Sequence, residues 1–245
     1  MIPKGTTKFI KSLQLKKYRK AEQCFLVEGE KSVSELLNSD FEIRLLACTQ
    51  AFLDHHTQSA DKCKELHVTT EKYLVAAGTL QTNQHALAVA QMKRAKLPEM
   101  VNEFGVVLDN IKDPGNLGTI IRICDWYGIR HIVASETTTD MFAPKVINAT
   151  MGSFCRVHVH YTSLEQYLQK NTLPVYGAML DGTSVYDTVW ATEGLILIGS
   201  ESHGISESLR SRISHRITIP KYGNAESLNA AVATAVVLDN MRRSS

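Results

Sequence analysis

Apolar residues recur along this chain in short blocks, and the blocks alternate between a period of two and a period near 3.6. In the first ninety residues this pattern predicts a strand over 24–27, then a helix over 30–38 with Val33, Leu36 and Leu37 inward. A strand over 43–48 follows, then a helix over 57–65, a strand over 67–69, a helix over 71–77 and a strand over 86–91. After residue 103 the alternation resumes. Strands are predicted over 104–108, 129–134, 156–161, 175–179, 194–198 and 216–219. Helices are predicted over 117–127, 144–151, 164–170, 206–212 and 228–243. The block 194–198 is apolar without a break, as a strand buried on both faces would be. Strands that alternate with helices imply a mainly parallel sheet with helices on both faces. Residues 93–102 are charged and contain Pro98, so a linker is expected there. It divides a small α/β domain over 1–97 from a larger one over 103–245.

Charge sharpens that division. The net charge is only +2. Residues 1–98 carry fifteen Lys/Arg against ten Asp/Glu, and the rest carries twelve against fifteen. A basic first part points to nucleic acid. The densest stretch is 4–20, with seven Lys/Arg and no acid. Lys11, Lys16, Lys17 and Arg19 are its candidates for phosphate contact, because each neutralised phosphate releases counterions. A short surface helix with a solvated face would look the same.

The five cysteines are odd in number and scattered, with no C-x-x-C pair, so neither zinc nor redox chemistry is signalled. His55-His56, and His158 with His160 on one strand face, lack a third ligand, and no metal is expected. No apolar run reaches the roughly 18 residues a membrane span needs, and the N-terminus lacks a secretory core. A cytoplasmic protein is expected.

Candidate chemistry gathers in three loops at the C-terminal ends of predicted strands, where parallel sheets bind ligands. They are 109–118, 199–204 and 220–229. Neither G-x-G-x-x-G nor a P-loop pattern is present. Asn116 and Arg122 lie on the first loop and its helix, and the Arg122 side chain is long enough to reach back to the loop, although a salt-bridged surface Arg would look the same. Gly199-Ser-Glu-Ser-His-Gly204 places a carboxylate, Glu201, between two glycines. His203 is passed over as a base, because its small neighbours offer no orienting partner. In the third loop Pro220 stops a strand, Ser227 is expected to cap the closing helix, and Glu226 and Asn229 crowd the junction.

Taken together, the three loops resemble a known family. Asn116-Leu-Gly-Thr-Ile-Ile-Arg122, Leu197-Ile-Gly-Ser-Glu-Ser-His-Gly-Ile205, and Ile219-Pro with Glu226-Ser-Leu-Asn229 look like the three motifs of the SpoU (TrmH-type) RNA ribose 2′-O-methyltransferases. Pro144-Lys-Val and Ala149-Thr-Met-Gly-Ser153 resemble a stretch between the first two. The departures are Ser202, where glycine is frequent, and Ala230, where valine is frequent. Residues 4–90 are similar to the RNA-binding substrate domain of some members.

The resemblance implies a deep trefoil knot, which no periodicity indicates. It implies S-adenosyl-L-methionine as cofactor, contacted by Gly199, Ile219 and Leu228. It also implies a homodimer with shared active sites, for which Leu228, Val232, Ala235 and Val236 supply an apolar stripe, although the same stripe would serve an ordinary core. Methyl transfer to a ribose 2′-hydroxyl falls to Arg122, with Asn116, Glu201, Ser227 and Asn229 orienting it and the ribose. A guanidinium is a poor base, so Arg122 is expected to stabilise oxyanion charge while a phosphate or carboxylate assists proton loss. Ribosomal RNA is favoured as substrate over transfer RNA. A catalytically silent RNA-binding relative and a nicotinamide-dependent oxidoreductase are the competing readings. The retained polar set argues against the first, and the missing glycine fingerprint against the second.

Overall fold

A computed structural model describes residues 2–93, 96–97 and 99–243. Arg94, Ala95 and Pro98 of the expected linker lie outside the described residues. The chain forms two compact units, Met1–Arg94 with Asp140–Cys155, and Ala95–Thr139 with Arg156–Ser245.

The first unit begins with helices α1 (Lys4–Ser12) and α2 (Lys16–Glu22). It continues through β1 (Cys24–Glu28), α3 (Glu30–Leu37), β2 (Ile43–Cys48), α4 (Gln50–Ala60), β3 (Leu66–Val68), α5 (Glu71–Ala77) and β4 (Ala86–Gln91). The sheet order is β1-β4-β2-β3, with β4 antiparallel to both neighbours and β2 parallel to β3. Ile10, Leu13, Leu26, Leu45, Leu74, Leu87 and Val89 form one core cluster. A fully buried side chain of this size contributes about 1.5–3 kcal/mol. Helix α4 starts seven residues before the expected position, because the Thr49 hydroxyl accepts from the Phe52 N–H at 3.4 Å and caps it. His56, which precedes the expected helix, is inside α4 at a non-helical φ of −129°. Its Nε2 lies 3.1 Å from the Ser34 hydroxyl.

Residues 140–155 count with this first unit, although the expected boundary places them in the second domain. The reason is aromatic packing. Phe142 and Phe154 have ring centroids 4.6 and 5.8 Å from that of Phe25. Helix α7 (Pro144–Thr150) lies between them in sequence.

Arg19 must be corrected here. Its residue is only 3% exposed. The guanidinium donates to the Leu13 and Gln14 carbonyls at 2.9 and 2.8 Å and to Asp140 Oδ2 at 2.8 Å. With Nε–H also directed at Asp140, four of its five N–H groups are engaged and the group is buried away from any phosphate. Arginine suits this role because its planar fork matches several acceptors at once. Lys11, Lys16 and Lys17 stay exposed. Arg19→Ala strands Asp140 and two carbonyls, so the unfolding free energy should fall by about 3 kcal/mol. A denaturant midpoint shift at constant slope measures it. A loss confined to RNA affinity would contradict the buried role.

The second unit holds β5 (Phe104–Leu108), α6 (Pro114–Trp126), β6 (His131–Ser135), β7 (His158–Thr162), α8 (Leu164–Lys170), β8 (Val175–Ser184), β9 (Gly194–Ile198), α9 (Glu207–Arg210), β10 (His215–Thr218) and α10 (Ala230–Arg243). The sheet order is β10-β8-β9-β5-β6-β7, and every pairing is parallel. All residues of β5 and β9 are buried, as a sheet covered on both faces requires. Helix α6 packs against α10, and α8 against α9. The chain runs β5-β6-β7 in one direction and then returns on the other side of β5. The strand order therefore switches between β5 and β9, where open parallel sheets take ligands.

Two local differences shape this end of the sheet. Helix α6 starts at Pro114, three residues before its expected start, because Asp113 accepts from the Asn116 N–H at 2.8 Å and proline fits the first helical position. Strand β8 runs five residues past its expected end. Its pairing with β10 jumps from Arg216 opposite Gly177 to Ile217 opposite Thr183. Residues 178–182 bulge out of the ladder.

Candidate active site

The three motif loops meet. Strand β5 ends beside β9, and the Asp109 N–H donates to the Ile198 carbonyl at 2.9 Å. Asp109, 5% exposed, accepts from the Ser206 N–H at 2.7 Å and so ties the first loop to the second. Within the second loop Ser200 and Gly204 exchange two backbone hydrogen bonds, at 3.1 and 2.8 Å. Glu201, Ser202 and His203 form the tip of this closed turn.

A ring of polar contacts joins all three loops. Asn116 Nδ2 donates to Glu201 Oε1. Asn229 Nδ2 donates to Asn116 Oδ1 at 2.8 Å. The Ala230 N–H closes the ring on Glu201 Oε1 at 3.4 Å. Asn229 also caps α10, because its Oδ1 accepts from the N–H groups of Ala231 and Val232 at 2.9 and 3.3 Å. That corrects the expected cap. Ser227 is exposed and caps nothing, since α10 begins at Ala230, two residues after the expected start. The competing acceptor, Asn229, sits next to the first helical residue.

Beside this ring is a cavity of about 680 Å³. Gly199, Ile219 and Leu228 all line it, as do Glu201 and Ser227. The bulge of β8 supplies a further wall, Ala178 to Asp181, which sequence reading missed because it ended the strand there. Gly182, just after this wall, was the available signal: a Cβ there would lie 2.6 Å from the Arg216 carbonyl carbon. Asp109 was also missed, since a single Asp after a strand reads as ordinary loop.

Arg122 is not drawn into the ring. It is exposed, makes no hydrogen bond or ion pair among the described residues, and does not line the cavity. No hydrogen bond joins it to Asn116. The two are six residues apart on one helix, so at 3.6 residues per turn they point in directions about 120° apart. Trp126, one turn further on, is 84% exposed.

No group of three or more His, Cys, Asp or Glu that could hold a metal occurs among the described residues. His131 Nδ1 lies 3.3 Å from His160 Nε2, and burial pushes the His131 imidazole below its usual pKa. All five cysteines are free thiols. No helix among the described residues is long and apolar enough to cross a membrane.

A parallel α/β sheet with a small-molecule cavity built from loops at its switch point defines the class of protein. Residues 103–239 match the SpoU rRNA methylase family model, and residues 4–88 match that of the MRM3-like substrate binding domain. The chain belongs to the SpoU rRNA methylase family. It is 31% identical over 237 residues to the 23S rRNA (guanosine(2553)-2′-O)-methyltransferase RlmP of Bacillus subtilis, covering 95% of this chain and 94% of that protein. A structure from Porphyromonas gingivalis, assigned to the TrmH family as a candidate RNA methyltransferase, superposes with a TM-score of 0.90 at 37% identity, covering all of both chains. The AdoMet-bound rRNA methyltransferase from Sinorhizobium meliloti gives 0.89 at 28% identity, covering 99% of this chain and 96% of the other.

Proposed function

We propose that the cavity holds S-adenosyl-L-methionine and that the chain transfers a methyl group to a ribose 2′-hydroxyl, with ribosomal RNA as substrate. The observation that carries this is the ring Asn229–Asn116–Glu201–Ala230, which joins all three motif loops beside a cavity of about 680 Å³. That volume suits a nucleoside-sized ligand. The lining fits one as well. Ile219 and Leu228 offer apolar faces for an adenine ring, and Gly199 offers bare backbone. The cofactor supplies a methyl group made electrophilic by its sulfonium. The protein's own task is to orient the ribose and stabilise charge as the 2′-oxygen becomes nucleophilic.

Arg122 is assigned the charge stabilisation, together with the grip on the adjacent phosphate. Its guanidinium stays protonated and donates only. Because it is exposed and outside its own cavity, Arg122 is proposed to complete the site of a second subunit. Its face of α6 carries the exposed Trp126, and Leu228, just before α10, and Val232, in its first turn, are 47% and 49% exposed. Ala235 and Val236 are only half-buried. This surface is the proposed homodimer contact. Asn116, Glu201 and Asn229 position the loops, and Ser227, at the cavity wall with no partner among the described residues, is free to meet substrate. The family resemblance further supports a trefoil-knotted chain path and a cytoplasmic site of action.

Lys11, Lys16 and Lys17 are proposed to track the RNA backbone. Replacing Lys16 and Lys17 by alanine should reduce the slope of log affinity against log salt by about 1.5, near 0.7–0.9 per phosphate contact. An unchanged slope would remove them from the interface.

The deciding experiment is transfer of labelled methyl from S-adenosyl-L-methionine to unmodified ribosomal and transfer RNA. Label in ribosomal RNA that survives alkaline hydrolysis as a 2′-O-methylated dinucleotide is the expected result. Label in transfer RNA alone would change the substrate. Cofactor binding without transfer to either would point to a silent RNA-binding relative.

A further inference from the structure

The assigned charge stabiliser cannot remove a proton, so proton loss falls either to the substrate's phosphate or to a group of the protein. Four groups lining the cavity can accept one: Asp181, Glu201, His203 and Glu226. Two are already engaged. Glu201 accepts from Asn116 and from the Ala230 N–H. Asp181 is paired with Arg216 at 3.4 Å. Arg210, Lys221 and Tyr222 complete the titratable lining, and the first two are cations.

His203 differs from Glu226, the other remaining candidate, in one respect: it is held. The two backbone bonds between Ser200 and Gly204 close the turn, and the His203 N–H donates to the Ser200 hydroxyl at 3.3 Å. Its Nδ1 lies 2.7 Å from the Ser202 hydroxyl oxygen. The orienting partner that the sequence did not suggest is therefore the adjacent residue. Ser202 is also the position where this chain departs from the glycine frequent in its family. Glu226 has no such support: both side chains are exposed, but Glu226 makes no hydrogen bond among the described residues.

We propose that His203 is the general base for the ribose hydroxyl, held in its working tautomer by Ser202; this rests on the methyltransferase reading. The Nδ1–H donates to the Ser202 hydroxyl, which leaves the Nε2 lone pair free at the cavity wall. The O2′–H bond breaks and its proton goes to Nε2. The oxygen lone pair forms the O2′–CH₃ bond, while the electron pair of the breaking S–CH₃ bond stays on sulfur. The imidazolium then returns its proton to water. An imidazole suits this work because its titration range, roughly pH 5–8, brackets neutral operating conditions.

Three measurements on the full-length protein test this. First, the single-turnover methyl-transfer rate of the wild type on unmodified ribosomal RNA should rise with unit slope in the acid range and level off. His203→Gln should lower the plateau by about 100-fold and flatten that limb. It should leave S-adenosyl-L-methionine affinity by calorimetry within about two-fold, a shift no larger than about 0.4 kcal/mol. Second, Ser202→Ala should keep the limb and lose only a few-fold in rate, the mark of a positioning residue. Third, ¹⁵N imidazole spectra of the protein without cofactor should show His203 carrying its neutral-state proton on Nδ1. A His203→Gln enzyme within two-fold of wild type, or a limb lost in Glu226→Gln instead, would overturn the assignment. So would a neutral-state proton on Nε2. A wild type that transfers no methyl to any RNA overturns the parent reading and the base together, whereas the other outcomes strike the base alone.

Discussion

Arg122→Ala is expected to lower the single-turnover rate of methyl transfer by about 10³-fold while cofactor affinity stays near wild type. The size follows from the role. A charged fork aimed at developing oxyanion charge acts mainly in the transition state, and removing such a donor costs rate more than binding. Cofactor affinity is spared because the fork is assigned to the ribose oxygen and the adjacent phosphate, not to the cofactor. Arg122→Lys should recover only part of the loss, since an ammonium cannot present two parallel donors. A lysine variant with near-wild-type turnover would refute the fork-geometry argument.

The exposed position of Arg122 adds a sharper test. If each site takes its cavity from one subunit and Arg122 from the other, two inactive variants should complement. Arg122→Ala mixed with a cavity-dead variant forms heterodimers that each hold one intact site. At equal amounts and random pairing, about a quarter of wild-type activity should return. A mixture as inactive as its components would leave Arg122 acting within its own chain, or the protein monomeric.

Gly199→Ala supplies the cavity-dead partner and is the second large effect. A Cβ at Gly199 would lie 2.1 and 2.2 Å from the carbonyl carbon and oxygen of Gly204, and 2.3 Å from the Ile205 nitrogen. These are backbone atoms, so no side-chain rotation relieves the overlap. The closed turn between Ser200 and Gly204 must open, and Glu201 then leaves its place against Asn116 and Ala230. Cofactor affinity should fall by about 100-fold or more, near 2.7 kcal/mol. Global stability should fall by only about 1–3 kcal/mol, the usual range for overpacking. Isothermal titration and denaturant unfolding separate the two quantities. Cofactor binding within a few-fold of wild type would show that the loop tolerates a second geometry, and would undercut the cavity as the binding site.

Much of this was legible along the chain. The periods of two and 3.6 located β2, α5, β4, β5, α8 and β9 at their observed bounds, because each is set by local alternation and burial. The three motif loops were legible from spacing, since each follows a strand and carries its own polar residues. The errors fell where local signals compete. Pro114-Gly115 reads as loop, yet Asp113 makes proline a first helical residue. Ser227 and Asn229 are both good caps, and only the path of the third loop decides between them. Arg19 belongs to a basic run but points inward, and its partner Asp140 is 121 residues away.

The sequence by itself determined the elements, the parallel α/β class and the identity of the polar residues at the strand ends. Local periodicity and side-chain chemistry act within a few residues and need no partner to be read. Only the tertiary structure decided which of those residues meet. Asn116 and Glu201 are 85 positions apart, and Asn116 and Asn229 are 113 apart. Such contacts exist because the buried strands β5 and β9 pair in parallel and bring their C-terminal loops to one edge. Packing within each unit likewise left Arg122 exposed and Arg19 buried, since a helix commits each side chain to one direction.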